Sequence, residues 1–296
     1  MSARFDWFSG VWPAMVTPMG DEGQLRLESV GPLVEKFVRE GAGGLYLCGS
    51  TGQGPLMTVA ERKLVAEVAV RASAGRLPVM VQVGGVRLEE CLELARHAAE
   101  IGADAVSSVV PVYYPPSLRS AMDHFRRVAS ETPLPFYAYN FLVPNCSVDE
   151  FTTALLEVPQ VRGLKFTNRD PYQLARLKIV SGGRLNVLSG ADETFLASQA
   201  QGADGTIGST QNIALPMFCA VEAAAAAGQW DAARAGMLRI VQLVHDVTIA
   251  FGAAGLHAVL TDEGIPCGNP RPPLPTLTPE ARTQALQLFR RLATLE

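Results

Sequence analysis

Short apolar segments rich in β-branched residues recur along the chain and alternate with amphipathic segments. The apolar segments are residues 11–17, 44–49, 79–85, 105–111, 135–140, 161–167, 185–190 and 205–210. The segments between them that have helical spacing and a charged face include residues 58–72, 88–101, 117–131 and 170–180. The pattern predicts eight β-strands that alternate with helices.

The order of these elements predicts the fold class. Strands that alternate with helices pair in parallel through right-handed crossovers, and eight such units close into a (β/α)8 barrel. A doubly wound open sheet is the alternative. No Gly-x-Gly-x-x-Gly turn follows the first strand, and the glycines of residues 49–54, after the second, have a different spacing. We therefore predict an α/β protein with a (β/α)8, or TIM, barrel.

The strand pattern stops near residue 225. Residues 230–251 have the pattern of one long amphipathic helix, residues 264–275 form a Gly/Pro-rich break, and residues 279–295 predict a last helix. We predict a catalytic barrel domain over residues 1–225 and a C-terminal helical extension over residues 226–296. The extension is expected to be structural and to support an oligomer interface.

Composition and charge exclude several classes of function. Hydrophobic residues make up 48% of the 296 residues and charged residues 18%, which is enough apolar surface for a large core. The net charge is -4 and the basic residues are scattered, which argues against nucleic-acid binding. The chain has no stretch of 18 apolar residues, no secretory leader pattern and no CxxC pair among its five cysteines, so we expect a cytoplasmic protein with no membrane partner.

The sequence gives little support for a metal site. The four histidines, His97, His124, His245 and His257, form neither an HxxxH pair nor a cluster with cysteines. We interpret them as structural residues and expect a reaction that needs no metal and no other cofactor.

Candidate chemistry gathers at the carboxyl ends of the predicted strands, where (β/α)8 barrels carry their active sites. The residues found there are Ser50 and Thr51, Tyr113 and Tyr114, Tyr139, Lys165 and Thr167, Gly190 with Asp192 and Glu193, and Ser209.

Lys165 is the candidate nucleophile. Because side chains alternate along a strand, Gly163, Lys165 and Thr167 face the barrel interior if their neighbours face the helices. Desolvation there would lower the pKa of the lysine and supply a neutral amine that can attack a ketone. The alternative is an ordinary lysine at a strand end that reaches water.

Other residues at these ends have a functional and a structural interpretation. The same alternation places Tyr139 inside the barrel beside Lys165, as a proton-transfer group or as a space-filling aromatic. The turn of residues 49–52 could bind a carboxylate through its N–H groups and hydroxyls, or be an ordinary turn. Asp192 and Glu193 could bind a polyhydroxylated substrate, or only stabilise a helix N-terminus.

Taken together, these segments resemble the N-acetylneuraminate lyase and dihydrodipicolinate synthase family of pyruvate-dependent class I aldolases. The motifs that carry the resemblance are Gly-Val-Trp-Pro-Ala-Met-Val-Thr-Pro near the start, Gly-Ser-Thr-Gly at 49–52, Pro-Val-Tyr-Tyr-Pro at 111–115, Tyr-Asn at 139–140, Gly-Leu-Lys-Phe-Thr at 163–167 and Gly-Thr-Ile-Gly-Ser at 205–209. The resemblance extends nearly from end to end, and the motifs are specific as a set although each is weak alone.

The resemblance implies roles for individual residues. Lys165 matches the Schiff-base lysine, Tyr139 the catalytic tyrosine, and Ser50 with Thr51 the loop that binds the pyruvate carboxylate. Tyr113 matches the tyrosine of a proton relay that the family lends to a neighbouring subunit. That implies a homo-oligomer, usually a tetramer of paired dimers.

Within the family the sequence is closer to the sialic-acid branch. Ser50, Thr167, the Gly-Ala-Asp-Glu run at 190–193 and the segment 208–212 that contains Ser209 match that branch. Residues 140–144 depart from the family pattern, and Gln53 replaces the usual glutamate. The synthase branch usually has an arginine in the loop after Tyr139, and this chain has none between Tyr139 and Arg162.

These observations predict a lyase that cleaves a 2-keto-3-deoxy sugar acid, with N-acetylneuraminate as the first candidate, to pyruvate and an aldehyde. Three alternatives stay open at this point. They are a family aldolase or dehydratase acting on a different sugar acid, dihydrodipicolinate synthase itself, and a barrel that binds keto acids as a sensor without turnover.

Overall fold

The computed structural model describes residues 7–140 and 146–293, and its centre is a parallel sheet of eight strands. The strands are β1 (Gly10–Pro13), β2 (Leu45–Leu47), β3 (Val79–Gln82), β4 (Ala105–Val109), β5 (Phe136–Asn140), β6 (Val161–Phe166), β7 (Asn186–Ser189) and β8 (Gly205–Gly208). From β2 to β8 each strand pairs with the next, and β8 pairs with β1. A parallel bridge between Ala14 and Tyr46 joins β1 to β2, so the sheet is a nearly closed barrel. The predicted (β/α)8 fold is confirmed.

Helices follow the strands on the outside of the barrel. They are α1 (Val30–Arg39), α2 (Val59–Ser73), α3 (Leu88–Glu100), α4 (Leu118–Ser130), α5 (Val148–Leu155), α6 (Pro171–Ser181), α7 (Phe195–Ala200) and α8 (Gln211–Ala226). All eight predicted strands are present but shorter than predicted, mostly at their carboxyl ends. Those apolar and small residues lie in the loops that leave the barrel, where no neighbouring strand continues the ladder.

Two apolar cores lie on the two faces of the sheet, as the alternation of side chains requires. The inner core fills the barrel with Phe8, Trp12, Ala14, Tyr46, Met80, Ala105, Tyr137, Leu188 and Ile207. The outer core, between sheet and helices, includes Leu164 and Phe166 of β6. Their strand neighbour Lys165 therefore projects into the barrel.

The helical run of the C-terminal extension continues further than the pattern predicts. Helix α9 (Trp230–Leu243) continues through a π-helical segment (Val244–Ile249) into α10 (Ala250–Asp262), and α11 covers Pro279–Ala293. The predicted end of the long helix at residue 251 coincides with a break, because Gly252 takes a φ of 57° that is not helical. Beyond this break a further helical segment, which the pattern does not predict, continues to Asp262 and buries apolar residues.

The helical run Trp230–Asp262 is long and apolar enough to cross a membrane by length and composition alone. In the fold, 56% of its most apolar window is buried inside the protein. More than half of that window therefore packs inside the fold, as in a core helix of a globular protein. The predicted boundary between residues 225 and 226 falls at the end of α8 and stays a prediction of where the domains divide.

Arg271 fixes the link between α10 and α11 to the barrel. Its guanidinium donates to the carbonyls of Gly23 and Leu56, both at 2.8 Å, and forms a two-pronged ion pair with Glu61 of α2 at 2.6 and 2.9 Å. A planar guanidinium matches a carboxylate in this geometry. The Pro-rich link is thereby held against the loop that follows β2.

Candidate active site

Lys165 lies inside the barrel between two aromatic rings. It is 6% exposed, and strand register places it directly beside Tyr139. Its Nζ lies 4.6 Å from the ring centroid of Tyr139 and 4.4 Å from that of Tyr46. Both distances are within the range in which an aromatic face attracts a cation.

Tyr46, on β2, is a site residue that the sequence analysis missed. Its ring is fully buried, meets that of Tyr139 edge to face at 6.3 Å, and its hydroxyl donates to Ser107 at 3.2 Å. Burial, and then the nearby Tyr139, raise the pKa of the Tyr46 hydroxyl well above its usual range. The alternation of Leu45, Tyr46 and Leu47 already predicts an inward tyrosine. Tyr46 lies one residue before the carboxyl end of β2, below the strand ends where active-site residues are expected.

The predicted residues after β6, β7 and β8 meet in one cleft of about 580 Å³. The cleft is lined by Thr167, Asn168, Arg169, Gly190, Ala191, Asp192, Glu193, Ser209, Val244, Thr248 and Ile249. The last three come from the C-terminal extension, which the sequence analysis treated as structural. No motif marks them, because their place in the cleft depends on how the long helix packs.

Hydroxyl, amide and charged groups face this cleft. The Thr167 Oγ1 atom is buried and has no hydrogen-bond partner within the described part of the chain. It lies so close to Gly190 that a Cβ there would overlap with it, which explains why a glycine is needed. Arg169 and Glu193 form an ion pair at the cleft. The site thus presents hydrogen-bonding groups and charged groups of both signs.

Asp192 holds the loops after β7 and β8 together. Its Oδ2 accepts from the Thr210 N–H at 2.8 Å and from the Ser209 hydroxyl at 3.5 Å, and its Oδ1 accepts from Gln211 Nε2 at 3.1 Å. Burial raises the pKa of this carboxyl group above its usual value. A Cβ at Gly208 would overlap with Oδ1, so the glycine permits this close approach.

The turn of residues 49–52 is held from two sides. The Thr17 hydroxyl donates to the Gly52 carbonyl at 2.5 Å, and the Gln53 N–H donates to the Ser50 carbonyl at 3.0 Å. Ser50 is exposed and Thr51 half-buried, so both hydroxyls are near the surface of the barrel mouth.

Two other predicted features lie elsewhere. Tyr113, after β4, is 75% exposed and packs edge to face on Tyr114 at 5.0 Å, so within this chain it is not enclosed by the site. The unusual loop at residues 141–144 lies outside the described residues.

Over residues 7–140 and 146–293, no three His, Cys, Asp or Glu side chains are grouped to hold a metal ion.

We predict that Asp192 and Glu193 differ in their effect on stability. Asp192→Asn puts an N–H2 group where donors already converge, so unfolding free energy should fall by about 1–3 kcal/mol. Glu193→Gln, at the open edge of the cleft, is the matched control and should change it by less than about 0.5 kcal/mol. Urea denaturation measures both. Equal losses would mean that Asp192 does not hold the two loops.

Comparison with known proteins identifies the family. Residues 7–291 match the model of the dihydrodipicolinate synthetase family. N-acetylneuraminate lyase from Rhizobium meliloti is 33% identical over 271 residues, covering 89% of this chain and 88% of that protein. A 4-hydroxy-tetrahydrodipicolinate synthase from Roseobacter denitrificans is also 33% identical, over 93% of this chain and 95% of its own length.

Solved structures agree with the sequence relatives. The N-acetylneuraminate lyase of Proteus mirabilis superposes with a TM-score of 0.92 at 30% identity, covering 97% of this chain and 99% of that one. The match covers the barrel and the C-terminal helices together. The chain belongs to the dihydrodipicolinate synthetase family, whose members are class I pyruvate aldolases that act through a Schiff base.

Proposed function

We propose that this protein is a Schiff-base lyase that cleaves N-acetylneuraminate to pyruvate and N-acetylmannosamine, with Lys165 as the covalent amine. The observation that carries the proposal is the position of Lys165, buried between two tyrosine rings beside a cleft of hydroxyl and carboxylate groups. The alternatives within the family are a different 2-keto-3-deoxy sugar acid and the synthase reaction. A sensor without turnover is disfavoured by membership of an enzyme family.

The lysine supplies the electron sink for the reaction. Its neutral amine adds to the C2 ketone of the substrate, and the adduct takes up a proton as water leaves, which gives a protonated imine. The C3–C4 bond breaks as its electron pair moves toward that imine, and an enamine and an aldehyde result. Protonation of the enamine at C3 and hydrolysis then release pyruvate. Because the imine is itself the sink, the proposed reaction uses no metal or other cofactor.

The two tyrosines have different proposed roles. Tyr139, beside Lys165 in register, donates its phenolic proton as water leaves and then, as the phenolate, takes the proton of the C4 hydroxyl when the bond breaks. Tyr46 contributes its ring face, since its hydroxyl is engaged with Ser107. A ring face that attracts an ammonium also attracts the positively charged imine.

The two ends of the substrate would bind on opposite sides of the lysine. We assign the keto-acid carboxylate to the turn of residues 49–52, through Ser50 and Thr51. We assign the hydroxylated part to the cleft, where Thr167, Gly190, Asp192, Glu193 and Ser209 lie.

The cleft favours a sugar acid over the aldehyde of the synthase reaction. Aspartate semialdehyde brings a carboxylate of its own, and the cleft has two carboxyl side chains, Asp192 and Glu193, against one arginine. That arginine, Arg169, is already paired with Glu193, so its charge is engaged within the cleft and not directed at a substrate carboxylate. The named relatives include both activities at the same identity, so this choice rests on the cleft.

The exposed residues after β4 support the proposal of a partner subunit. Val112, Tyr113 and Tyr114 are neighbouring apolar or aromatic side chains that are 43%, 75% and 70% exposed. We propose that Tyr113 completes the site of a neighbouring copy in a cytoplasmic homotetramer built as a dimer of dimers.

The proposed reaction predicts a pyruvate adduct on Lys165. Borohydride added to the protein with N-acetylneuraminate as the sole keto compound, or with pyruvate alone, should leave the same pyruvate-sized adduct in the peptide that contains Lys165. Mass spectrometry reads it out, and Lys165→Arg, which cannot form an imine, is the control.

The possible outcomes separate the alternatives. An adduct from pyruvate but not from N-acetylneuraminate keeps the aldolase class and rejects this substrate, and pyruvate-dependent consumption of aspartate semialdehyde would then identify the synthase. No adduct from either compound would contradict the Schiff-base mechanism.

The ring of Tyr46 should matter more than its hydroxyl. Tyr46→Phe keeps the ring and should form the pyruvate adduct within about threefold of the wild-type rate, whereas Tyr46→Leu should be at least about tenfold slower. The adduct is measured by cyanoborohydride trapping over time. Tyr137→Leu removes another inward ring deeper in the barrel and should leave the rate per folded molecule unchanged. Equal rates for the Phe and Leu variants would exclude a role for the ring.

A mixture of two inactive variants should recover activity if Tyr113 acts in a neighbouring copy. Lys165→Ala and Tyr113→Phe subunits, coexpressed in equal amounts, place an intact lysine and an intact Tyr113 together at about one site in four. We expect about a quarter of wild-type cleavage. Activity no higher than the average of the two parents would show that Tyr113 does not act across subunits.

A further inference from the structure

Gln53 connects the turn of residues 49–52 to the C-terminal extension. Its side chain is 1% exposed, and its backbone takes a φ of 57° that side chains rarely adopt. Its Oε1 accepts from the backbone N–H of Arg271 at 2.7 Å, and its Nε2 lies 3.2 Å from Nε2 of His257. Both ends of the amide are therefore engaged by the extension.

The hydrogen bonds of His257 determine the direction of the contact with Gln53. Its Nδ1 lies 2.9 Å from the carbonyl of Cys267. A carbonyl only accepts, so Nδ1 carries the hydrogen. Burial lowers the pKa of this imidazole to about 4, so the ring is neutral at physiological pH and Nε2 is a bare acceptor. The Gln53 amide must donate to it.

Cys267, Glu61 and Arg271 adjoin this contact and do not titrate near neutral pH. Burial raises the pKa of the Cys267 thiol to about 12, the hydrogen-bonded ion pair with Arg271 lowers the pKa of Glu61 to about 2, and the Arg271 guanidinium stays charged. Arg26 and Glu263 also act on Cys267, and burial raises the pKa of the Glu263 carboxyl group. The contact between Gln53 and His257 itself is a neutral hydrogen bond.

The contact between Gln53 and His257 restricts the position of the turn of residues 49–52. The Gln53 N–H donates to the Ser50 carbonyl, and the Gly54 N–H donates to the Gly49 carbonyl, both at 3.0 Å. A shift of Gln53 would therefore move Ser50 and Thr51 with it. His257 and Arg271 are held independently, through the Cys267 carbonyl and the ion pair with Glu61.

We propose that Gln53 is a positioning residue, which fixes the turn of residues 49–52 through His257 and thereby sets the affinity for the keto-acid carboxylate. The inference rests on the proposed function, in which Ser50 and Thr51 bind that carboxylate. A glutamate of the same shape would place a second acceptor against Nε2 of His257. The pair would be complementary only while the imidazole is protonated.

Gln53→Glu tests this through its pH dependence. The readout is the pyruvate concentration for half-maximal cyanoborohydride trapping, taken as a ratio to wild type at each pH. At pH 6 the carboxylate keeps His257 protonated and the ratio should stay below about threefold. As the pH rises through the raised pKa of that imidazole the proton leaves, and by pH 9 the ratio should reach about tenfold. Maximal trapping should stay near the wild-type level.

Two further variants keep the test decisive. His257→Asn retains a donor to the Cys267 carbonyl but cannot reach Gln53, so the ratio should rise about equally at both pH values. The double variant Gln53→Glu with His257→Gln restores a donor opposite an acceptor and should abolish the pH dependence of the ratio. Thermal denaturation of each variant confirms that it is folded.

His124→Gln is the matched control. His124 is also buried, its pKa is also lowered to about 4, and its Nε2 lies 3.0 Å from the Ser108 hydroxyl on the outer side of the barrel. This variant should lose stability without any change in half-maximal pyruvate concentration.

Two results would overturn the inference. One is a ratio within twofold of wild type at both pH values for both Gln53→Glu and His257→Asn. The other is a loss of maximal trapping while the half-maximal pyruvate concentration stays unchanged. Absence of trapping in the wild-type protein would instead reject the proposed function together with this role.

Discussion

The structure depends on keeping a lysine inside a nearly closed barrel of apolar side chains. A buried ammonium group is unfavourable unless the protein stabilises it, and the ring faces of Tyr46 on β2 and Tyr139 on β5 lie within attractive distance of Lys165 without adding a fixed charge. The barrel brings strands two, five and six around one point although they are distant along the chain. In an open sheet with the same strand order, β2 would lie far from β6.

Close backbone approach arranges the rest of the site. Gly190 lies against Thr167, and Gly208 lies against Asp192, so that the loops after β6, β7 and β8 pack onto one another without intervening side chains. As a result, both carboxyl oxygens of Asp192 accept hydrogen bonds from residues that follow β8. This carboxyl group therefore interacts mainly with the protein itself. Glu193 and Thr167 are more available to a ligand at the same cleft.

The fold and the position of Lys165 could be predicted from sequence, because both follow from local periodicity: a two-residue repeat gives the strand and its inward face. Tyr46 could also have been found by the same alternation. The contributions of Val244, Thr248 and Ile249 could not, since they depend on the packing of a long helix that carries no chemical motif. The hydrogen-bond partner of Gln53 was equally hidden, because 204 residues separate it from His257.

The C-terminal extension therefore belongs to the site although the strand pattern ends before it. Val244, Thr248 and Ile249 form one wall of the cleft, and His257 with Arg271 holds the turn of residues 49–52 through Gln53. A division of the chain near residue 225 describes the repeat pattern. It does not divide the candidate site, because residues from both sides of that division line the cleft and hold the turn.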